Sequence, residues 1–247
     1  MVGGALAAIV SGTTGFGFAV VATALWSQLA EPQRVTTLTL VLQLALNVVY
    51  LPFLWRDISL RRLAPFALGS LVGVPAGAWA LSAWPVAPLR LALGLSLAAW
   101  SLWMLSRATP PTLRLSGLAA RAADAGIGVV GGFLGGIAGL SGVVPALWVA
   151  LRAEGDARSN RGVVQGFILF TSVLGVAWVG RVVGIDATTR DQVLLSLPFV
   201  IAGGLLGLKV FSKLDTRRFS QAVLIVVALC GTLLAVDAFS ALGLWGG

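Results

Sequence analysis

The chain has 247 residues, 58% of them hydrophobic and only 11% charged, with a mean hydropathy of +0.97 and a formal net charge of +8. Soluble domains carry about 25% charged residues, so this composition excludes a water-soluble globule and implies lipid as the solvent. Histidine is absent, Cys230 is the only cysteine and the nine carboxylates are scattered. That removes disulfide frameworks, metal clusters and the usual proton relays. The chain is therefore not read as an enzyme, and no metal or cofactor is expected. The basic residues sit in short loops between apolar stretches, the pattern of topology determinants, and no nucleic-acid partner is expected from them.

The first apolar stretch, 1–29, is interrupted by Ser-Gly-Thr-Thr-Gly-Phe-Gly-Phe at 11–18. A break at membrane depth is tolerated only against protein or a watery cavity, because an unpaired backbone group in hydrocarbon costs several kcal/mol. Its two limbs, 1–10 and 18–28, are each about ten residues or about 15 Å of helix, which reaches the midplane and no further. The second stretch, 35–55, is continuous and carries Gln43 and Asn47 four apart on one helix face, with Arg34 at its start. The third, 63–84, contains Gly69 and Gly73, a spacing that serves close helix packing. The fourth covers 89–105. Trp55, Trp84, Trp103 and Trp245 fall near stretch ends, where indole rings favour the interface.

A polar connection at 107–123, with Pro110 and Pro111, bisects the chain. The fifth stretch, 125–151, is again broken, at Ala-Gly-Leu-Ser-Gly-Val-Val-Pro (138–145); six glycines fall among residues 131–142. Pro145 suits the first turn of a helix, where its missing N–H is not needed. The sixth stretch, 162–184, follows Arg161 and carries Gln165, Thr171 and Ser172. The seventh, 192–212, holds Gly203 and Gly207, read as packing glycines like Gly69 and Gly73, and Lys209, close enough to its end to snorkel. The eighth, 219–245, holds Asp237, the only carboxylate well inside an apolar stretch and hence the candidate for proton coupling.

The halves repeat. A shift of 127 lays Gly12–Gly15 on Gly139–Gly142 and Arg34 on Arg161, and a shift of 134 lays Gly69 and Gly73 on Gly203 and Gly207. If all eight stretches cross the membrane, basic residues divide nine against eight between its faces. If the first and fifth are re-entrant hairpins, Arg34, Arg90, Arg181 and Arg190 share one face and the other thirteen share the opposite one, as the positive-inside rule asks of short loops. The expected fold is thus an all-α polytopic membrane protein. It has two inverted repeats, each a broken glycine-rich hairpin plus three transmembrane helices: 1–106 and 124–247, joined by a cytoplasmic linker at 107–123, with both termini outside.

Each break would present the N-terminus of a half-helix, with free N–H groups and a partial positive charge. Gly12, Thr13, Thr14, Gly15, Phe16 and Gly17 from the first break, with Gly139, Ser141, Gly142 and Val143 from the second, are expected to hold an anionic head at the midplane. Gln43, Asn47, Gln165, Thr171 and Ser172 would complete the wall, or serve as interhelical hydrogen bonds. Arg34 and Arg161 would attract anions to either entrance or simply snorkel to the interface. Without histidine or a central carboxylate, obligatory proton coupling is expected to be weak or absent.

Gly12-Thr-Thr-Gly15-Phe-Gly17, its recurrence as Gly139-Leu-Ser-Gly142 with a nearby proline, and the GxxxG helices at Gly69–Gly73 and Gly203–Gly207 resemble the TauE/SafE family of bacterial membrane permeases over nearly the whole chain. After the first motif Phe18-Ala-Val-Val stands where the family usually has further glycines and a proline. The resemblance implies export, or sometimes uptake, of sulfite, sulfoacetate or related organosulfur anions across the bacterial cytoplasmic membrane. The expected partners are that anion and the bilayer, with a homodimer admitted. Two other readings use the same residues: an anion channel, and a non-transporting membrane subunit that scaffolds an enzyme.

Overall fold

The computed structural model of the protein describes residues 2–26, 30–106, 112–152, 154–182, 184, 186–211 and 216–242; Pro110, Pro111 and Trp245 lie outside them. Every element among the described residues is helical. The helices are α1 (Val2–Thr14), α2 (Phe18–Trp26), α3 (Pro32–Leu54), α4 (Leu60–Ala83) and α5 (Val86–Leu105), then α6 (Gly117–Ala138), α7 (Val143–Arg152), α8 (Ala157–Val182), α9 (Ala187–Phe211) and α10 (Thr216–Ala241), with one 3-10 turn at Trp55–Asp57. Five helices, α3, α4, α6, α8 and α9, are long and apolar enough to cross a membrane. Trp55 and Trp84, at the ends of α3 and α4, are 59% and 56% exposed.

Both glycine clusters break the helix. At the first, Gly15 and Gly17 adopt φ of 83° and 93°, a region that an L side chain enters only with strain. At the second, Gly139 caps α6 in the left-handed region with φ 73°. Each break turns the chain back on itself. Gly3 at the start of α1 lies against Leu25 and Trp26 at the end of α2. In the second hairpin the Leu113 N–H donates to the Leu151 carbonyl, and Arg152 reaches the Leu115 carbonyl and Asp124. α1, α2 and α7, of 13, 9 and 10 residues, are about 14–20 Å long, short of a hydrocarbon core of about 30 Å.

One limb departs from the expected half-length. α6 has 22 residues and opens inside the 107–123 connection. Its first turns, where Leu118 is strongly exposed, precede Asp124, the α6 residue with which Arg152 pairs.

Glycine sets the packing. α4 lies on α6, α9 on α1, α5 on α10 and α3 on α8, so α4 rests on the second hairpin and α9 on the first. A Cβ on Gly69, Gly73 or Gly77 would overlap the backbone of Ala125, Val129 or Phe133, and one on Gly128 or Gly136 would overlap Phe66 or Val74. The same interlock recurs between α1 and α9, where Gly203 meets Ala5, Gly207 meets Ile9 and Gly12 meets Gly204. These glycines are packing residues, as their spacing suggests. Gly73→Ala is expected to destabilise the protein by about 2 kcal/mol through overpacking, read as reduced unfolding stability in detergent; an unchanged midpoint would mean that α4 and α6 can separate freely.

α3 and α8 run antiparallel. Asp57, just past the end of α3, packs on Gly162 near the start of α8. At the other end Arg34 pairs with Asp186 at 3.2 Å. Hydrogen bonds from Thr189, which cap α9, and the nearby Arg34 guanidinium hold the Asp186 carboxyl below its usual range. Arg34 and Glu154 therefore stand at opposite ends of α8.

Candidate functional site

Thr36, Thr39, Gln43, Asn47 and Tyr50 follow one another on α3 at spacings of three or four, so they form a single stripe. All five are buried. α8 answers with Arg161, Gln165 and Ser172, also buried. The result is a polar seam along the α3–α8 contact.

The seam is only partly satisfied internally. Gln43 Nε2 donates to Ser172 Oγ at 3.2 Å, and Asn47 Nδ2 donates to the Gln43 carbonyl at 2.7 Å. Tyr50 Oη donates to the Ala8 carbonyl at 3.3 Å, which ties the seam to α1. Gln165 is 4% exposed, and neither its amide nitrogen nor its amide oxygen has a hydrogen-bond partner. Such a group costs about 1–3 kcal/mol, so its retention needs a reason. With Asn47, Tyr50, Leu51, Leu54, Ile58 and Leu169 it lines a cavity of about 10 Å³, roughly the space that one water needs.

Both breaks touch the seam. Arg161 is 0% exposed; its Nη2 donates to the Gly12 carbonyl at 2.5 Å, and Gly15 packs on its side-chain stem. Burial at the first break is not the entrance or snorkelling position expected of Arg161, since a snorkelling head must reach water. Tyr50 and Asp57 lie within electrostatic range of the guanidinium. At the second break, Gly139 lies against Thr39 and Ala19, and a Cβ on Gly142 would come within 3.1 Å of Phe16. The Thr36 hydroxyl donates to the Ile137 carbonyl at 3.4 Å. The two glycine breaks are thus in contact, through Phe16 and Gly142.

The hydroxyls divide into two groups. Thr13 donates to the Ile9 carbonyl at 2.9 Å, and Thr14 has the Val10 and Phe16 carbonyls at 2.8 and 2.6 Å. Thr171 bonds the Phe167 carbonyl at 2.8 Å. These three close on their own backbone. Ser141 and Thr39, by contrast, are buried with no partner for their hydroxyl oxygens. Val143, Phe16 and Gly17 are buried at the breaks. Arg34 is half-exposed in its pair with Asp186, where screening leaves an ion pair about 0–1 kcal/mol. Asp237 is buried on α10, a helix outside the seam.

Two features escaped the sequence reading. Tyr50, the only tyrosine in the chain, extends the Gln43–Asn47 stripe by one turn, and helical spacing from Asn47 would have found it. A polar cluster also clamps the open end of the second hairpin. Asp124 accepts from Trp148 Nε1 at 2.7 Å and from Arg152 at 3.4 Å, and Arg152 also pairs with Glu154. Arg62 on α4 donates to Ser159 at 2.7 Å and Asn160 at 3.0 Å. No sequence signal links residues so far apart.

The family model described as Sulfite exporter TauE/SafE matches residues 1–234. No curated protein and no solved structure matches the chain. The match spans both broken hairpins and the seam between them, and it agrees with an all-helical chain whose long helices are apolar enough to span a bilayer. The chain belongs to the TauE/SafE sulfite exporter family, multi-pass membrane transporters of sulfur anions.

Proposed function

We propose that the protein carries small sulfur oxyanions, sulfite or an organic sulfonate such as sulfoacetate, by alternating access around the α3–α8 seam. The observation that carries this reading is the pair Arg161 and Gln165. They lie one helical turn apart on one face of α8, a buried cation beside a buried carboxamide without a partner. A sulfonate offers one negative charge and several acceptor oxygens, and charge-assisted hydrogen bonds to a guanidinium are the strong kind. Ser141 and Thr39 supply further hydroxyl donors beside the second break.

The antiparallel seam and the two hairpins support an inverted pair of repeats in which the breaks meet near the midplane from opposite sides. The uneven division of basic residues then puts the 56–62 and 154–161 loops inside and both termini outside. A cavity this narrow favours a carrier over an open channel. Coupling to protons is weak or absent in this scheme, with Asp237→Asn leaving flux unchanged.

A thermal-stability screen against sulfite, sulfate, thiosulfate, sulfoacetate and taurine identifies the ligand. Ser141→Ala is expected to weaken the preferred ligand by about five- to tenfold, the worth of one hydrogen bond of about 1 kcal/mol. An unchanged shift would remove the second break from the site.

A further inference from the structure

A second cavity lies beside the seam. It is a cleft of about 540 Å³ whose lining includes Phe53, Leu54, Asp57, Arg158, Leu208 and Lys209. Leu54 lines both this cleft and the narrow Gln165 cavity and is the lining residue that they share. Leu54 and Leu208 also belong to one apolar cluster, together with Tyr50. The two spaces differ in kind. The inner one brings two amides and a phenol among four aliphatic side chains and has room for about one water. The outer one is of the size that takes a whole small molecule.

The chemistry of the cleft is mixed in a specific way. Phe53, Leu54 and Leu208 belong to its apolar lining, and among the described residues Arg158, Lys209 and Asp57 are its charged lining. Arg158 lies three residues before Arg161 on α8, about one helical turn away. A small inorganic anion would use the cations alone. An anion bearing an apolar substituent would use the apolar lining as well, at about 25 cal/mol for each Å² of apolar surface removed from water.

From this geometry we infer that the cleft is the access vestibule of the transport site, with Leu54 as the partition that must move to admit substrate, and that it selects organic sulfonates with an apolar substituent over inorganic sulfur anions. The inference rests on the seam being the transport site. It adds Arg158, Lys209, Leu54 and Leu208 as specificity-determining residues.

The test uses Cys230→Ala as background, with Leu208→Cys as the reporter and Leu205→Cys, at another residue lining the cleft, as a second reporter should the first fail to fold. The full-length protein in nanodiscs is treated with an anionic sulfonatoethyl methanethiosulfonate and with its neutral methyl analogue. The ratio of anionic to neutral labelling rates should fall about fivefold on adding Arg158→Gln, through loss of electrostatic focusing, and should not change on adding Arg121→Gln outside the cleft. Hexanesulfonate should protect the cysteine at lower concentration than sulfite does. Both effects should persist in a Gln165→Leu background, which separates failure of the vestibule from failure of the seam. Equal rate ratios with and without Arg158, or equal protection by sulfite and hexanesulfonate, would overturn the assignment. So would protection that follows the phosphatidylglycerol content of the nanodisc and ignores hexanesulfonate, which would make the cleft a lipid site.

Discussion

Arg161→Met will abolish sulfur-anion flux while leaving a folded protein. The reasoning is a balance of two buried-charge effects. A guanidinium with no exposed surface has given up its hydration, and an arriving anion adds charge-assisted hydrogen bonds to the contacts that it already makes, the Gly12 carbonyl among them. Breaking a buried charge pair by removing one partner costs about 3–5 kcal/mol, so flux at low substrate should fall at least about a hundredfold. Stability should change much less. The Gly12 carbonyl loses one donor, worth about 1 kcal/mol, while the desolvation penalty of the cation disappears with it, and methionine refills much of the space. Arg161→Lys keeps the charge but not the planar fork and should retain an intermediate rate. Initial rates in proteoliposomes together with thermal unfolding check both halves. Wild-type flux in Arg161→Met would reduce the residue to a fastener of the first hairpin.

Gln165→Leu should move stability and activity in opposite directions. Its amide is buried beside Leu51, Leu54, Ile58 and Leu169 without a hydrogen-bond partner. Replacing it with a leucine of similar volume removes an unsatisfied polar group, so the folded state should gain about 1 kcal/mol, or about 2–4 °C in Tm for a chain of this size. Flux should fall by about tenfold or more, because the anion loses a donor that no other group replaces. A side chain kept for structure would behave the other way, with Tm falling and transport preserved. The combination of a higher Tm and lower flux is therefore specific to a ligand-binding role.

The features legible in the sequence are those that glycine and charge control. The breaks at Gly15, Gly17 and Gly139 could be located because few other residues turn a helix at membrane depth. The interlocks at Gly69, Gly73, Gly203 and Gly207 could be read because four-residue spacing has one principal use between helices. Gln43, Asn47, Gln165 and Ser172 were identifiable as polar residues in apolar helices, and they meet in one seam.

What was not legible depends on competition settled only in three dimensions. Thr13, Thr14 and Thr171 look like ligand donors, but a hydroxyl inside a helix can bond the carbonyl one turn back, and all three do so. Arg161 looks like an interface residue because it begins an apolar stretch; its burial follows from the first hairpin turning over it. The early start of α6 was hidden because hydropathy marks where a helix becomes apolar, not where it begins.

Counterflow tests the central claim, one anion site exposed alternately to each side, most directly. Proteoliposomes preloaded with unlabelled sulfite should transiently accumulate labelled sulfite above equilibrium, with saturable kinetics, and Arg161→Met vesicles should not. Labelled sulfite that equilibrates without overshoot, at a rate linear in concentration and indifferent to the internal load, would contradict a carrier and leave a pore.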